Sequence, residues 1–173
     1  MPIENFERYT PRIHADAFVH PGAWVIGDVE VAERATVWPG AVLRGDHGAI
    51  RIGARTSIQD GTVAHATVDD SQTRVAEECT VGHRVILHGC QVGPRCLIGM
   101  GSILLDHAEL GAECFVGAGS LITAHKKFPP RSFILGAPAR RVREVTAEEI
   151  EWIVFSCQSY QELADRHRRS APS

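Results

Sequence analysis

A period of six residues constrains this chain more than any other feature. Aliphatic side chains recur at Ile13, Val19, Val25, Val31, Val37 and Leu43, then at Ile52, Ile58 and Ala64, and again at Val75, Val81 and Leu87. A last series runs Val92, Ile98, Leu104, Leu110, Val116 and Ile122. Four residues after most of these stands a small side chain, as at Ala23, Ala41, Thr62, Cys79, Cys96, Ser102, Cys114 and Ser120. Glycine often follows the aliphatic directly, at Gly53, Gly82, Gly93, Gly99, Gly111 and Gly117. Six fits neither the 3.6-residue period of a helix nor the two-residue period of a hairpin strand. It fits an all-β solenoid, a parallel β-helix in which each hexapeptide forms one short face and three make a coil. The aliphatic then points inward, the small residue fills the corner, and glycine is expected to relax the turn.

Grouped in threes, the repeats predict about six coils between residues 13 and 127. The period slips after Leu43, between Ala64 and Val75, and by one residue between Leu87 and Val92. The first two slips predict extruded loops at 45–49 and 66–74, and solenoids carry function on such insertions. Lys126-Lys-Phe-Pro-Pro130 is expected to end the repeat. Thr146-Ala-Glu-Glu149 reads as a capping box, and Ile150, Ile153, Val154, Cys157, Tyr160, Gln161 and Ala164 follow at helical spacing. The expected organisation is a β-helix over 1–145 and a terminal helix over 146–169, packed on the prism.

Composition narrows the partners. The formal charge of −3 and the pI near 6.3 leave no basic footprint for nucleic acid. No apolar run approaches the roughly 18–20 residues that span a bilayer, and the first residues lack a secretory pattern. Five cysteines without a CxxC pair do not read as a disulfide framework. Cys79, Cys96 and Cys114 fall on corner positions, where a thiol acts as a small hydrophobe. Cytoplasmic localisation is the expectation.

Register turns the histidines into candidates. Arg44, His65 and His88 each follow the inward aliphatic of a third face in successive coils, which stack about 4.8 Å apart. The two imidazoles should therefore be close enough to share a metal, whose ligand nitrogens lie roughly 3–3.5 Å apart. His83 sits on the preceding face, with Gln59 and Asp60 one coil below. A threefold trimer would set the second face of one subunit against the third face of the next, so that His83 completes the site. Three neutral imidazoles with an open fourth position lower the pKa of bound water towards about 7.

Arg44-Gly-Asp46, Gln59-Asp-Gly61 with His65, Val81-Gly-His83 through Leu87-His-Gly-Cys90, and Gly136-Ala-Pro138 resemble the γ-class carbonic anhydrases and their bacterial relatives. That resemblance implies a left-handed coil, a homotrimer, and metal ligands His65 and His88 from one subunit with His83 from the next. It also places Arg44, Asp46, Gln59 and Asp60 around the metal and along the subunit contact, with Tyr160 at the pocket rim. The expected function is zinc-dependent hydration of CO2 to bicarbonate, a lyase reaction, with iron or cobalt as possible substitutes for zinc. Gln59 would orient the metal-bound oxygen. Arg44 would pair with Asp60 across the interface, and Asp46 would steady Arg44. Where related enzymes carry a glutamate proton shuttle, this chain has His47. The alternatives are a metal-dependent thioesterase or hydrolase, a non-catalytic assembly subunit, and an acyl-CoA-dependent acyltransferase with a single general-base histidine. The presence of three candidate histidines counts against the last.

Overall fold

In the computed structural model, which describes residues 3–170, the chain winds into a left-handed parallel β-solenoid of three flat faces. The second face is an eight-stranded sheet in which seven rungs from Phe18–Val19 to Ser132–Gly136 pair in parallel, and Ala139–Glu144 closes it antiparallel. The first and third faces share one twelve-stranded sheet, because Trp24–Val31 and Val42–Ile52 pass from one face to the other without leaving the strand conformation. The predicted aliphatics from Val25 to Ile122 point inward and are buried; Ile13 and Val19, in the opening coil, are only partly covered.

Three sequence expectations need correction. The solenoid has about seven turns rather than six. Ile3–Glu4 pairs with Val25 and Ile26 below the first repeat, and Phe128 and Ile134 carry the period of six through Lys126–Pro130 and past it. The first slip is not an extruded loop. Gly27 pairs with Gly45 and Val29 with Ile50, so Asp46–Ala49 bulges within a continuous strand opposite Asp28. The second slip is a loop, between Val63–His65 and Thr73–Val75.

The third correction concerns glycine. Turning of the chain falls three residues after the aliphatic, on residues with positive φ such as Arg55, Glu78, Arg95 and Glu113. The glycine directly after the aliphatic answers a different need. A Cβ on Gly53 would stand 2.5 Å from the backbone of Ala76 in the next coil, so only a bare Cα allows the coils to approach.

The terminal helix α1 spans Ala147–Ser170. Its capping box forms as the spacing implies: Glu149 N–H donates to Thr146 Oγ1 at 3.2 Å, and Thr146 N–H donates to Glu149 Oε2 at 2.9 Å. Ile153, Cys157, Gln161 and Ala164 are buried against the solenoid, while Val154 of the expected stripe faces outward. Gln161 Nε2 and Cys157 Sγ both donate to the Arg55 carbonyl, at 3.1 and 3.2 Å, which fixes the helix over the second face.

Candidate functional site

Parallel pairing sets Ile26 beside Arg44, Leu43 beside Ala64, and His65 beside His88, so the outward column on the third face is real. His65 Nδ1 and His88 Nε2 stand 3.3 Å apart. Carboxylates hold the other nitrogens: Asp46 Oδ1 lies 3.0 Å from His65 Nε2, and Asp106 Oδ2 lies 3.0 Å from His88 Nδ1. Arg44 Nη1 donates to Asp46 Oδ2 at 2.6 Å, so Asp46 steadies Arg44 as expected.

Charges follow from these contacts. Burial works to raise the Asp46 carboxyl, but bonds from Arg44 and His65 outweigh it and hold the group below its ordinary value. Asp106 is likewise pressed upward by burial and carried below its ordinary value by Ser71 and His88. Burial lowers His65, with the charge of Arg44 adding to the effect and the bond to Asp46 opposing it. His65 is therefore neutral at pH 7, in the form that can bind a metal or a proton.

Asp106 was invisible to the hexapeptide reading. It sits eighteen residues beyond His88, one coil along, and its carboxylate also takes a bond from Ser71 Oγ of the second-slip loop. The single-residue slip at His88-Gly-Cys90 makes room for it: Gly89 has φ +63°, and a Cβ there would collide with Asp106 and Ser71. That slip was the available signal. His47 lies beside the pair, its ring centroid 5.1 Å from that of His65, and Asp46, His47 and His65 bring potential ligand atoms within 4.8 Å of one another.

The remaining candidates form a second group on the second face. His83 Nδ1 meets Asp60 Oδ2 at 2.9 Å, so within one chain Asp60 serves His83 rather than Arg44. Gln59 is buried, and together with His83 and Tyr160 it lines a groove of about 490 Å3 between this face and α1. Tyr160 packs edge-on against Trp38 at 5.7 Å. Burial raises its hydroxyl above the usual value, the charge of Asp60 adding and Gln59 opposing. Cys90 is wholly buried, its thiol pushed up to about 12, and is no ligand.

One chain therefore presents two separate histidine groups, His65 and His88 with Asp46 and Asp106, and His83 with Asp60. As a test of metal fit, the 3.3 Å between His65 and His88 suits two ligands of one divalent ion, and carboxylates behind both rings are what metal-bound imidazoles usually have. His83 does not join them within the chain.

The family model for bacterial transferase hexapeptide repeats (six repeats) matches residues 89–124. The carnitine operon protein CaiE of Citrobacter koseri is 44% identical over 98% of this chain and 86% of its own length. A solved structure from Bacillus cereus, provisionally named an acetyltransferase, superposes with a TM-score of 0.95 at 37% identity and 98% coverage of both chains. Perosamine N-acetyltransferase of Caulobacter crescentus, solved with CoA and GDP-perosamine, matches 78% of this chain and 57% of its own at TM-score 0.58 and 25% identity. These relatives overturn the carbonic anhydrase reading, and with it zinc-dependent CO2 hydration and the lyase class. The physical reason is that register places imidazoles in a column without saying whether they hold a metal or take a proton. Within one chain His83 stands apart from the His65–His88 pair and has its own carboxylate in Asp60, in keeping with its place on the preceding face. Hexapeptide-repeat β-helix proteins commonly form trimers, and no helix among the described residues is long and apolar enough to cross a membrane.

Proposed function

Because the chain belongs to the bacterial hexapeptide-repeat family that includes the carnitine operon protein CaiE, we propose that it transfers an acyl group from a CoA thioester to an amine or hydroxyl acceptor. The observation that carries this reading is the His83–Asp60 pair at the groove beside Gln59. Asp60 holds Nδ1–H and leaves Nε2 free to act as base. His83 Nε2 takes the acceptor proton as the acceptor attacks the thioester carbonyl. The new C–N or C–O bond forms, the C–S bond breaks, and His83 returns the proton to the leaving thiolate. The Gln59 amide can donate to the carbonyl oxygen as negative charge develops there, with Tyr160 bounding the site. In a homotrimer that sets the second face against the neighbour's third, His65 and His88 of that neighbour hold the acceptor. The chain Arg44–Asp46–His65 and Asp106–His88 fixes their rings.

A second reading rests on the 3.3 Å between His65 and His88. If these two and His83 of the next subunit hold a divalent metal, the ion would polarise a thioester carbonyl and ease the ionisation of water, making the reaction hydrolysis. Thiol release from acyl-CoA, followed with and without an amine acceptor and with and without a chelator, tests both. Release that needs the acceptor and survives chelation supports transfer. Release that needs no acceptor and stops on chelation supports hydrolysis, and no release above the blank excludes both.

A further inference from the structure

The outward positions just before the buried aliphatics of the second face stack as Thr36, Ser57, Thr80, Leu97, Phe115 and Phe133. Above Phe18, which pairs with Thr36, the column is hydroxylic up to Thr80 and apolar beyond it. The Trp38 indole donates to Thr36 Oγ1 and Ser57 Oγ, both at 3.1 Å. Thr80 is 3% exposed, and its hydroxyl has no partner. Among the described residues it is the one buried side-chain polar atom left so, and native folds rarely carry such a group without something to answer it.

Thr80 lies on the wall of the groove that His83 and Gln59 also line. Leu97 and Phe115 belong to its floor, and α1 supplies the opposite side with Trp152 and Phe155, whose rings stand 5.4 Å apart. Met100, Trp152 and Phe155 are each more than half exposed, a large apolar surface left open beside the proposed base. A cavity of this size, mostly apolar with a few convergent polar groups, has the character of a small-molecule site.

We propose that this groove seats the acyl chain of the thioester, that the substrate carries a medium-length aliphatic acyl group rather than acetyl, and that the Thr80 hydroxyl donates to the thioester carbonyl oxygen. The proposal rests on the acyl-transfer reading for the identity of the ligand, but it concerns binding and can be tested without turnover.

Calorimetric titration of the intact assembly with octanoyl-CoA and with acetyl-CoA, without acceptor, reads it directly. Octanoyl-CoA should bind at least about ten-fold tighter, since each buried methylene contributes to affinity. Phe155→Ser, at an exposed helix position, should weaken octanoyl-CoA by about ten-fold and leave acetyl-CoA unchanged. Thr80→Val should weaken both alike, because both carry the carbonyl. Equal affinity for the two thioesters, an equal effect of Phe155→Ser on both, or no effect of Thr80→Val on either would overturn the proposal. So would dissociation of the assembly by Phe155→Ser in light scattering, which would make the groove a contact between copies. If octanoyl-CoA binds as expected while no thioester is turned over, the acyl site stands and the transferase reading falls.

Discussion

Single side chains decide how rigid the site and its supports are. Asp106 holds His88 in one orientation, so Asp106→Asn should keep the fold and its melting temperature within about 2 °C while lowering acyl transfer at least about ten-fold. A melting temperature that falls in step with activity would show that Asp106 supports the loop at Ser71 rather than the imidazole. A second residue-scale prediction concerns the cap of α1. Two short bonds from Arg143 bring Glu149 down to about 2, against an ordinary value of 4.5. Because the folded value is depressed, the ion pair stabilises fully above about pH 4.5 and is lost as pH falls towards 2. Glu149→Gln should therefore cost about 1 kcal/mol at pH 7, a figure reduced for solvent screening, and almost nothing at pH 2. Urea unfolding at both pH values checks this, and an equal loss at each would remove the ion pair as the cause.

Each coil rests on its two neighbours and on little else, so stability is built element by element. Stacked charges reinforce the corners where φ is positive: Arg55 bonds Glu78 at 2.8 Å, and Arg95 bonds Glu113 at 2.5 Å, in alternating sign along the axis. The interior contributes more. Leu104 is fully buried between Leu87 and Ile122, and Leu104→Ala should cost about 2–5 kcal/mol through lost burial and the cavity left behind. A cost below about 1 kcal/mol in denaturant unfolding would mean that the coils collapse around the gap. The opening coil, with Ile13 and Val19 only partly covered, should exchange its amide hydrogens sooner than the central coils. Gly53→Ala tests the contact between coils, since the added methyl would meet the Ala76 backbone at 2.5 Å. It should destabilise more than an alanine at the open Gly101.

At the scale of the whole molecule, the two histidine groups on different faces make a prediction about assembly. His83 serves one subunit's groove, while the His65–His88 pair stands on the face that a threefold neighbour would present. His83→Ala and His88→Ala proteins should each be inactive as pure trimers. Refolded together, they should regain part of the activity, because some interfaces then pair an intact His83 with an intact His88. Mixed assemblies as inactive as their parents would confine the site to a single chain.

The six-residue period determined the solenoid, its inward residues and the column of Arg44, His65 and His88, and the capping box with its helical spacing determined α1, because each depends on local spacing at short range. The end coils escaped it because Ile3 precedes the period and Phe128 stands among prolines that look like a stop. The corner residues three positions after each aliphatic escaped it because arginine and glutamate carry no mark of left-handed backbone. The site's partners were decided only by tertiary structure. Asp106 reaches His88 from the next coil, Asp60 meets His83 from the coil below, and the groove at Thr80 exists only where α1, almost seventy residues further on, lies across the second face. Such pairings depend on which surfaces the coils and the helix bring within a few ångströms of each other, and no period along the chain encodes that.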